Sequence, residues 1–273
     1  MIPYYDFGGM GSILHFAHSN GYPPACFRQM LEPLTGDYHV TGMCFRALWP
    51  GSRPQEMDSW QLFSDDLHLF FEQQGYEQVI GVGHSLGAVA TMKTAWRYPT
   101  LFRALILIEP VFMPPDILNI FVAQPEAAKQ TPLYQKTLKR RTSWPDRQAA
   151  FDHFRPKPVF RRWDDEAIWD YINHGLHDTA QGQVALTYRR EWEAHIYTQF
   201  PQSVWQEIPQ VVQPTLAIRG TETDTLFPRA WQLWQELQPQ AQFVEIPDAG
   251  HMVPMERPRQ VASIISDFLH ALD

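Results

Sequence analysis

A chain of 273 residues with 44% hydrophobic and 19% charged content is long enough for one large α/β domain, or two small ones, around a sizeable core. Its formal charge of −8 excludes the basic balance of a nucleic-acid binder, and no apolar run reaches the roughly eighteen residues that a membrane span needs. Cys26 and Cys44 stand outside any Cys-x-x-Cys pair, and residues 1–20 carry Asp6 but no Lys or Arg, so a reducing cytoplasm is expected rather than secretion.

Strands and helices alternate from the start. Residues 12–17 read as a buried strand ending at His18-Ser19-Asn20-Gly21, and residues 39–45 as a second, ending near Arg46, Pro50 and Gly51. An amphipathic helix follows to about Gln74, with Trp60, Phe63, Leu67 and Phe70 on its apolar face and Asp58 as its expected N-cap. A strand over 78–82, a helix over 86–97 and a strand over 104–108 continue the rhythm. The expected fold class is therefore α/β, a doubly wound and mostly parallel sheet with helices on both faces and ligands at the carboxyl ends of its strands.

The rhythm breaks at Pro110. Residues 113–205 read as helical, Pro-punctuated and aromatic-rich, with no convincing strand, before strand 215–219, helix 228–237, strand 242–246 and helix 258–271 resume the pattern. The expected organisation is a core of 1–112 and 206–273 with a helical cap of 113–205 inserted between two strand units. The insert holds 12 of the 22 Lys and Arg and 11 of the 30 acids, so the negative charge resides in the core. Its aromatic residues, among them Trp144, Trp163, Trp192, Tyr197 and Phe200, either line an apolar pocket or pack helix on helix.

Gly83-His84-Ser85-Leu86-Gly87 follows a strand-like run and precedes a helix-like one. Gly-x-Ser-x-Gly alone arises by chance in roughly one chain in ten of this length. Placed at a strand-to-helix turn, it holds the serine hydroxyl above the sheet beside the free N–H groups of a helix start. A serine hydroxyl needs a base to take its proton, and that base needs an orienting carboxylate. Gly220-Thr221-Glu222-Thr223-Asp224 follows one later strand and Asp248-Ala249-Gly250-His251 the next, giving the order Ser, Asp, His.

These segments, with the trailing Glu256-Arg257-Pro258, resemble a capped member of the α/β-hydrolase fold superfamily of the esterase and lipase kind over nearly the whole chain. The resemblance implies Ser85 as nucleophile, His251 as general base and Asp224 as orienting acid. Glu109, at the end of the strand before the cap, is the alternative acid. Glu222 reads as a solvated turn residue, and Asp248 as a cap for the turn presenting His251. The oxyanion hole would use the N–H of Leu86 and a second donor from Asn20, with Ser19 and Gly21 also open because Ser19 replaces the usual glycine. His18 reads as a structural ring holding that loop.

Relatives often carry Asp-x-Arg-Gly-x-Gly-x-Ser after the second strand, where this chain has Phe45-Arg46-Ala47-Leu48-Trp49. Arg46 and Trp49 either shape the pocket or pin the loop. The expected activity is hydrolysis of a carboxylic ester or thioester of a small or medium apolar substrate. Alternatives are a C–C bond hydrolase using the same triad or a non-catalytic small-molecule sensor. The expected partner is a small-molecule substrate, with no nucleic acid, no membrane span, no cofactor and no metal. Oligomeric state stays open.

Overall fold

A computed structural model describes residues 1–272. Among the described residues the ten strands are β1 (Tyr4–Gly8), β2 (Ile13–Ala17), β3 (His39–Met43), β4 (Val79–His84), β5 (Phe102–Ile108), β6 (Ser143–Trp144), β7 (Leu176–Asp178), β8 (Val184–Leu186), β9 (Thr215–Gly220) and β10 (Gln242–Ile246). Seven of them form one sheet in the order β1-β3-β2-β4-β5-β9-β10. Only β1 runs antiparallel, against β3; the other pairings are parallel. The sheet is the expected doubly wound one. The chain turns from one side of β2 to the other between β3 and β4, which is where such sheets open a crevice at their carboxyl edge.

Alternation along the strands decides which helices cover which face. In β5, Ala104, Ile106 and Ile108 enter one core with Leu14, Phe16, Val82 and Ile218, while Leu105 and Leu107 enter the other. The first core is closed by the helix Pro258–His270 through Val261, Ile265 and Phe268. The second is closed by the helices Gln61–Gln74, Leu86–Arg97 and Pro228–Leu237. Phe63, Leu67, Phe70 and Phe71 of Gln61–Gln74 are essentially inaccessible, each contributing about 1.5–3 kcal/mol of burial. That helix starts at Gln61 behind Trp60, so Asp58 is not its N-cap, and Gly75 ends it with φ +67°.

Between β5 and β9 lies the cap-like insert. It is mostly helical, but it also contains a three-stranded antiparallel sheet, β6-β8-β7. This corrects the strand-free expectation: two- and three-residue strands are too short for alternation to register in a sequence. The Trp205 indole N–H donates to the Met113 carbonyl at 2.8 Å, bringing the ends of the insert together. Trp144, Trp163 and Trp192 are buried within packing clusters. No helix among the described residues is long and apolar enough to cross a membrane.

Three histidines are locked inside as neutral rings. His15 donates from Nδ1 to Thr41 Oγ1 at 3.1 Å and accepts the Met43 N–H at 3.4 Å. His18 donates from Nδ1 to the Ser19 carbonyl at 2.8 Å and accepts the Phe45 N–H at 2.9 Å. Burial drives the pKa of His15 down to about 3, with the neighbouring His18 adding to it, and that of His18 down to about 4. His84 is likewise held well below the ordinary value, by burial first and by His251 second.

Unfolding frees these rings to take up protons near their reference pKa of about 6.5. Their contribution to stability is therefore complete above that pH and is lost as pH falls toward the folded values. Each ring removes up to about 1.4 kcal/mol per pH unit within this window. Chemical denaturation at pH 7, 6 and 5 is expected to show unfolding free energy falling by up to about 3 kcal/mol between the last two points from His15 and His18, with His84 acting in the same direction.

Candidate active site

The carboxyl edge of the sheet gathers three side chains from segments far apart in sequence. Ser85 follows β4 with φ +57° and ψ −116°, a strained conformation for a non-glycine residue. Its N–H donates to the Ile108 carbonyl at 3.0 Å and its carbonyl accepts the Val89 N–H at 3.3 Å, so both neighbouring elements fix it. The flanking glycines are steric requirements. A Cβ on Gly83 would stand 2.6 Å from the Ala88 Cα, and one on Gly87 would overlap the Ala17 carbonyl oxygen. Leu86 opens the helix Leu86–Arg97, so its N–H has no intrahelical partner.

Ser85 Oγ lies 3.0 Å from His251 Nε2, and His251 Nδ1 lies 3.1 Å from Glu109 Oε2. Glu109, fully buried, immediately follows β5 with φ +49°. Register explains its position: Ile108 pairs with His84 on one side and with Ile218 on the other, so the residue after β5 stands beside the residue after β4. Its N–H is tied to the Ile218 carbonyl at 2.8 Å. Its carboxylate also accepts the Gly220 N–H at 2.7 Å and the Thr223 hydroxyl at 2.6 Å. A carboxylate so held keeps the proton on His251 Nδ1 and leaves Nε2 free to accept from Ser85.

Asp224, the acid expected from the resemblance, is not brought to His251. It is exposed, its Oδ1 accepting from the Thr225 hydroxyl at 3.3 Å. The structure places the alternative, Glu109, against the imidazole instead. The physical reason is position along β9: the strand runs to Gly220, and the chain then carries Asp224 out to the pocket rim.

The turn bearing His251 is clamped peptide by peptide. The Glu222 N–H donates to the Ala249 carbonyl at 2.8 Å, and the Gly250 N–H donates to Glu256 Oε2 at 2.7 Å. His84 donates from Nε2 to the His251 carbonyl at 2.9 Å, its ring 5.1 Å from that of His251. Arg162 of the insert ion-pairs with Glu222 and lies 3.9 Å from Glu256, so Glu222, exposed as expected of a turn residue, also takes part in an ion pair. Asp248 adopts φ +53° and holds the turn through its backbone, receiving the Arg257 guanidinium on its carbonyl at 3.1 Å.

Over Ser85 and His251 lies a cavity of about 590 Å³. Its wall is largely apolar, with Trp60, Leu86, Met113, Ile196, Phe200 and Met252 among its residues. Of the insert aromatics named from sequence, Tyr197 and Phe200 reach it. Ser19 and Asn20 line the side beneath which His18 is locked, and the Asn20 Nδ2 donates to the Glu193 carbonyl at 3.1 Å. Arg46 pairs with Asp66 at 2.9 Å and stacks 4.7 Å over Trp49, whose indole N–H donates to the Cys44 carbonyl at 2.6 Å. Neither residue lines the cavity; both pin the loop. Cys26 and Cys44 are free and buried. Glu193, a cavity-lining carboxylate, was not singled out from sequence, because nothing in the insert's spacing shows which of its acids turn inward.

The model of the Alpha/beta hydrolase family matches residues 16–264. The chain is 28% identical over 231 residues to Abhydrolase domain-containing protein AKT2 of Alternaria alternata, covering 71% of this chain and 83% of that protein. It is also 28% identical over 167 residues to the type I acyl-CoA thioesterase mpaH of Penicillium roqueforti (strain FM164), covering 56% of this chain and 37% of that protein. Among solved structures, E-2-(acetamidomethylene)succinate hydrolase superposes with a TM-score of 0.81 at 19% identity, covering 98% of this chain and 94% of that one. That likeness is one of fold.

Proposed function

This chain belongs to the alpha/beta hydrolase family, and we propose that it is a serine hydrolase of carboxylic esters or thioesters with a small or medium, largely apolar acyl group. The observation that carries this reading is the continuous contact from Ser85 Oγ through His251 to the buried Glu109 carboxylate. In this account Ser85 attacks the carbonyl while His251 Nε2 takes its proton. Glu109 holds the imidazole and stabilises the imidazolium that forms. The N–H groups of Leu86 and Asn20 receive the oxyanion. The leaving alcohol or thiol takes the proton back from His251, and water, activated by the same imidazole, then releases the acid.

Residues 113–205 act as the cap that closes over the acyl group, on a core of 1–112 and 206–273. The cavity volume suits a small molecule, and its apolar wall favours acyl over polar chains. Likeness to a relative named as an acyl-CoA thioesterase supports including thioesters. The buried, unpaired thiols Cys26 and Cys44 are in keeping with a cytoplasmic setting.

A chain-length series of p-nitrophenyl esters and acyl-CoA thioesters, with Ser85→Ala as the blank, tests the reading. Turnover is expected to peak at short or medium acyl chains and to fall to the blank when the chain outgrows the cavity. Turnover equal in wild type and Ser85→Ala would refute it.

A further inference from the structure

Among the described residues, the cavity lining contains two carboxylates, Glu193 and Asp224, and no Lys or Arg. Asp224 is exposed at the rim, whereas Glu193 is only 7% exposed. Glu193 lies within the helix Arg190–Ile196 of the insert. Its Oε2 is ion-paired with Arg140, which turns its other nitrogen to the Tyr171 hydroxyl at 3.0 Å and is not itself part of the lining. Oε1 accepts no hydrogen bond from the described residues. A Cβ on Gly21 would stand 3.3 Å from the Glu193 carboxyl carbon, so this carboxyl sits against the loop that carries Asn20. That places the Glu193 carboxyl in the cavity that holds Ser85, against the loop expected to supply the second oxyanion donor.

An acceptor that a ligand cuts off from water without pairing it is costly, and a ligand donor that fills it avoids the loss. A second anion in the same enclosed wall is disfavoured, since the lining offers no cation to meet it and Arg140, outside the lining, is already paired with Glu193. Burial raises the Glu193 pKa, and the ion pair with Arg140 opposes that rise. A purely apolar acyl group would leave Oε1 unpaired. Sites built to bond a hydroxyl discriminate against analogues lacking it far better than apolar pockets discriminate by size.

We propose that Glu193 is a specificity-determining residue, which selects acyl groups bearing a hydroxyl close to the carbonyl and rejects acyl groups bearing a carboxylate. The proposal rests on the ester-hydrolase reading of Ser85, and it names the substrate class within that reading.

Ethyl butyrate, ethyl 3-hydroxybutyrate and monoethyl succinate form a matched four-carbon acyl set. In the wild type, kcat/KM is expected to be about 10-fold higher for the hydroxy ester than for the plain ester, and about 10-fold lower for the succinate ester. In Glu193→Gln the succinate-to-butyrate ratio is expected to rise about 10-fold and the hydroxy preference to shrink several-fold. Each ratio is taken within one sample, so a partly folded variant cancels out. Ratios in Glu193→Gln within 2-fold of wild type, or a wild type indifferent to all three esters, would overturn the assignment.

The same ratios, measured as dissociation constants of the three esters for Ser85→Ala by calorimetry, need no turnover. An enzyme that hydrolyses none of the esters but binds them in the expected order would contradict the hydrolase reading and leave the role of Glu193 standing. Equal binding of all three would end that role.

Discussion

Glu109→Gln is expected to lower kcat/KM by roughly a thousand- to ten-thousand-fold, and Asp224→Asn to leave it within a few-fold of wild type. The amide keeps an oxygen for the Gly220 N–H, but it can present an NH2 to His251 Nδ1. That arrangement favours the tautomer with the proton on Nε2, which cannot accept from Ser85. Asp224 has only the neighbouring Thr225 hydroxyl as a partner among the described residues, so neutralising it changes the charge of the rim and little else. Steady-state kinetics on a short-chain ester, with circular dichroism to verify folding, checks both arms. A collapse in Asp224→Asn with normal Glu109→Gln would return the acid to the loop after β9.

Ser85→Ala is expected to carry the largest loss, about a million-fold, leaving only what the oxyanion donors and substrate binding supply. Members of such a relay act as one unit, because without the nucleophile there is no proton for the base to take. The double variant Ser85→Ala, Glu109→Gln should therefore be no slower than Ser85→Ala alone. The alanine fits the site, since its backbone ties to Ile108 and Val89 do not involve the hydroxyl. Additive losses in the double variant would mean that Glu109 acts on something other than the proton of Ser85.

The legible parts of this molecule are those encoded locally. The buried strands β2, β4, β5 and β9 and the helix Leu86–Arg97 are written in apolar runs bounded by Gly and Pro. Ser85 and His251 stand in short turns whose residues state their own geometry. β1 escaped notice because it is an antiparallel edge strand whose Tyr4, Tyr5 and Asp6 are exposed, so no buried period marks it.

The acid stayed open because it is decided by register, not by motif. Two carboxylates in plausible positions become distinguishable only once Ile108 is seen paired with both His84 and Ile218. The signal present in the sequence was the adjacency of Glu109 to the end of a continuous buried strand that neighbours the elbow strand. Glu193 was less legible still. Its inward turn depends on how the insert folds over Asn20 and Arg140, contacts that span 173 and 53 residues.

The central claim, that Ser85 is activated through His251 by Glu109, is tested most directly by reacting the folded protein with a fluorophosphonate and locating the adduct by peptide mass spectrometry. The account predicts one adduct per chain, on Ser85, absent in Ser85→Ala, formed at least a hundred-fold more slowly in Glu109→Gln and at an unchanged rate in Asp224→Asn. A folded wild type that leaves Ser85 unmodified, or that labels as fast in Glu109→Gln as in wild type, would contradict it.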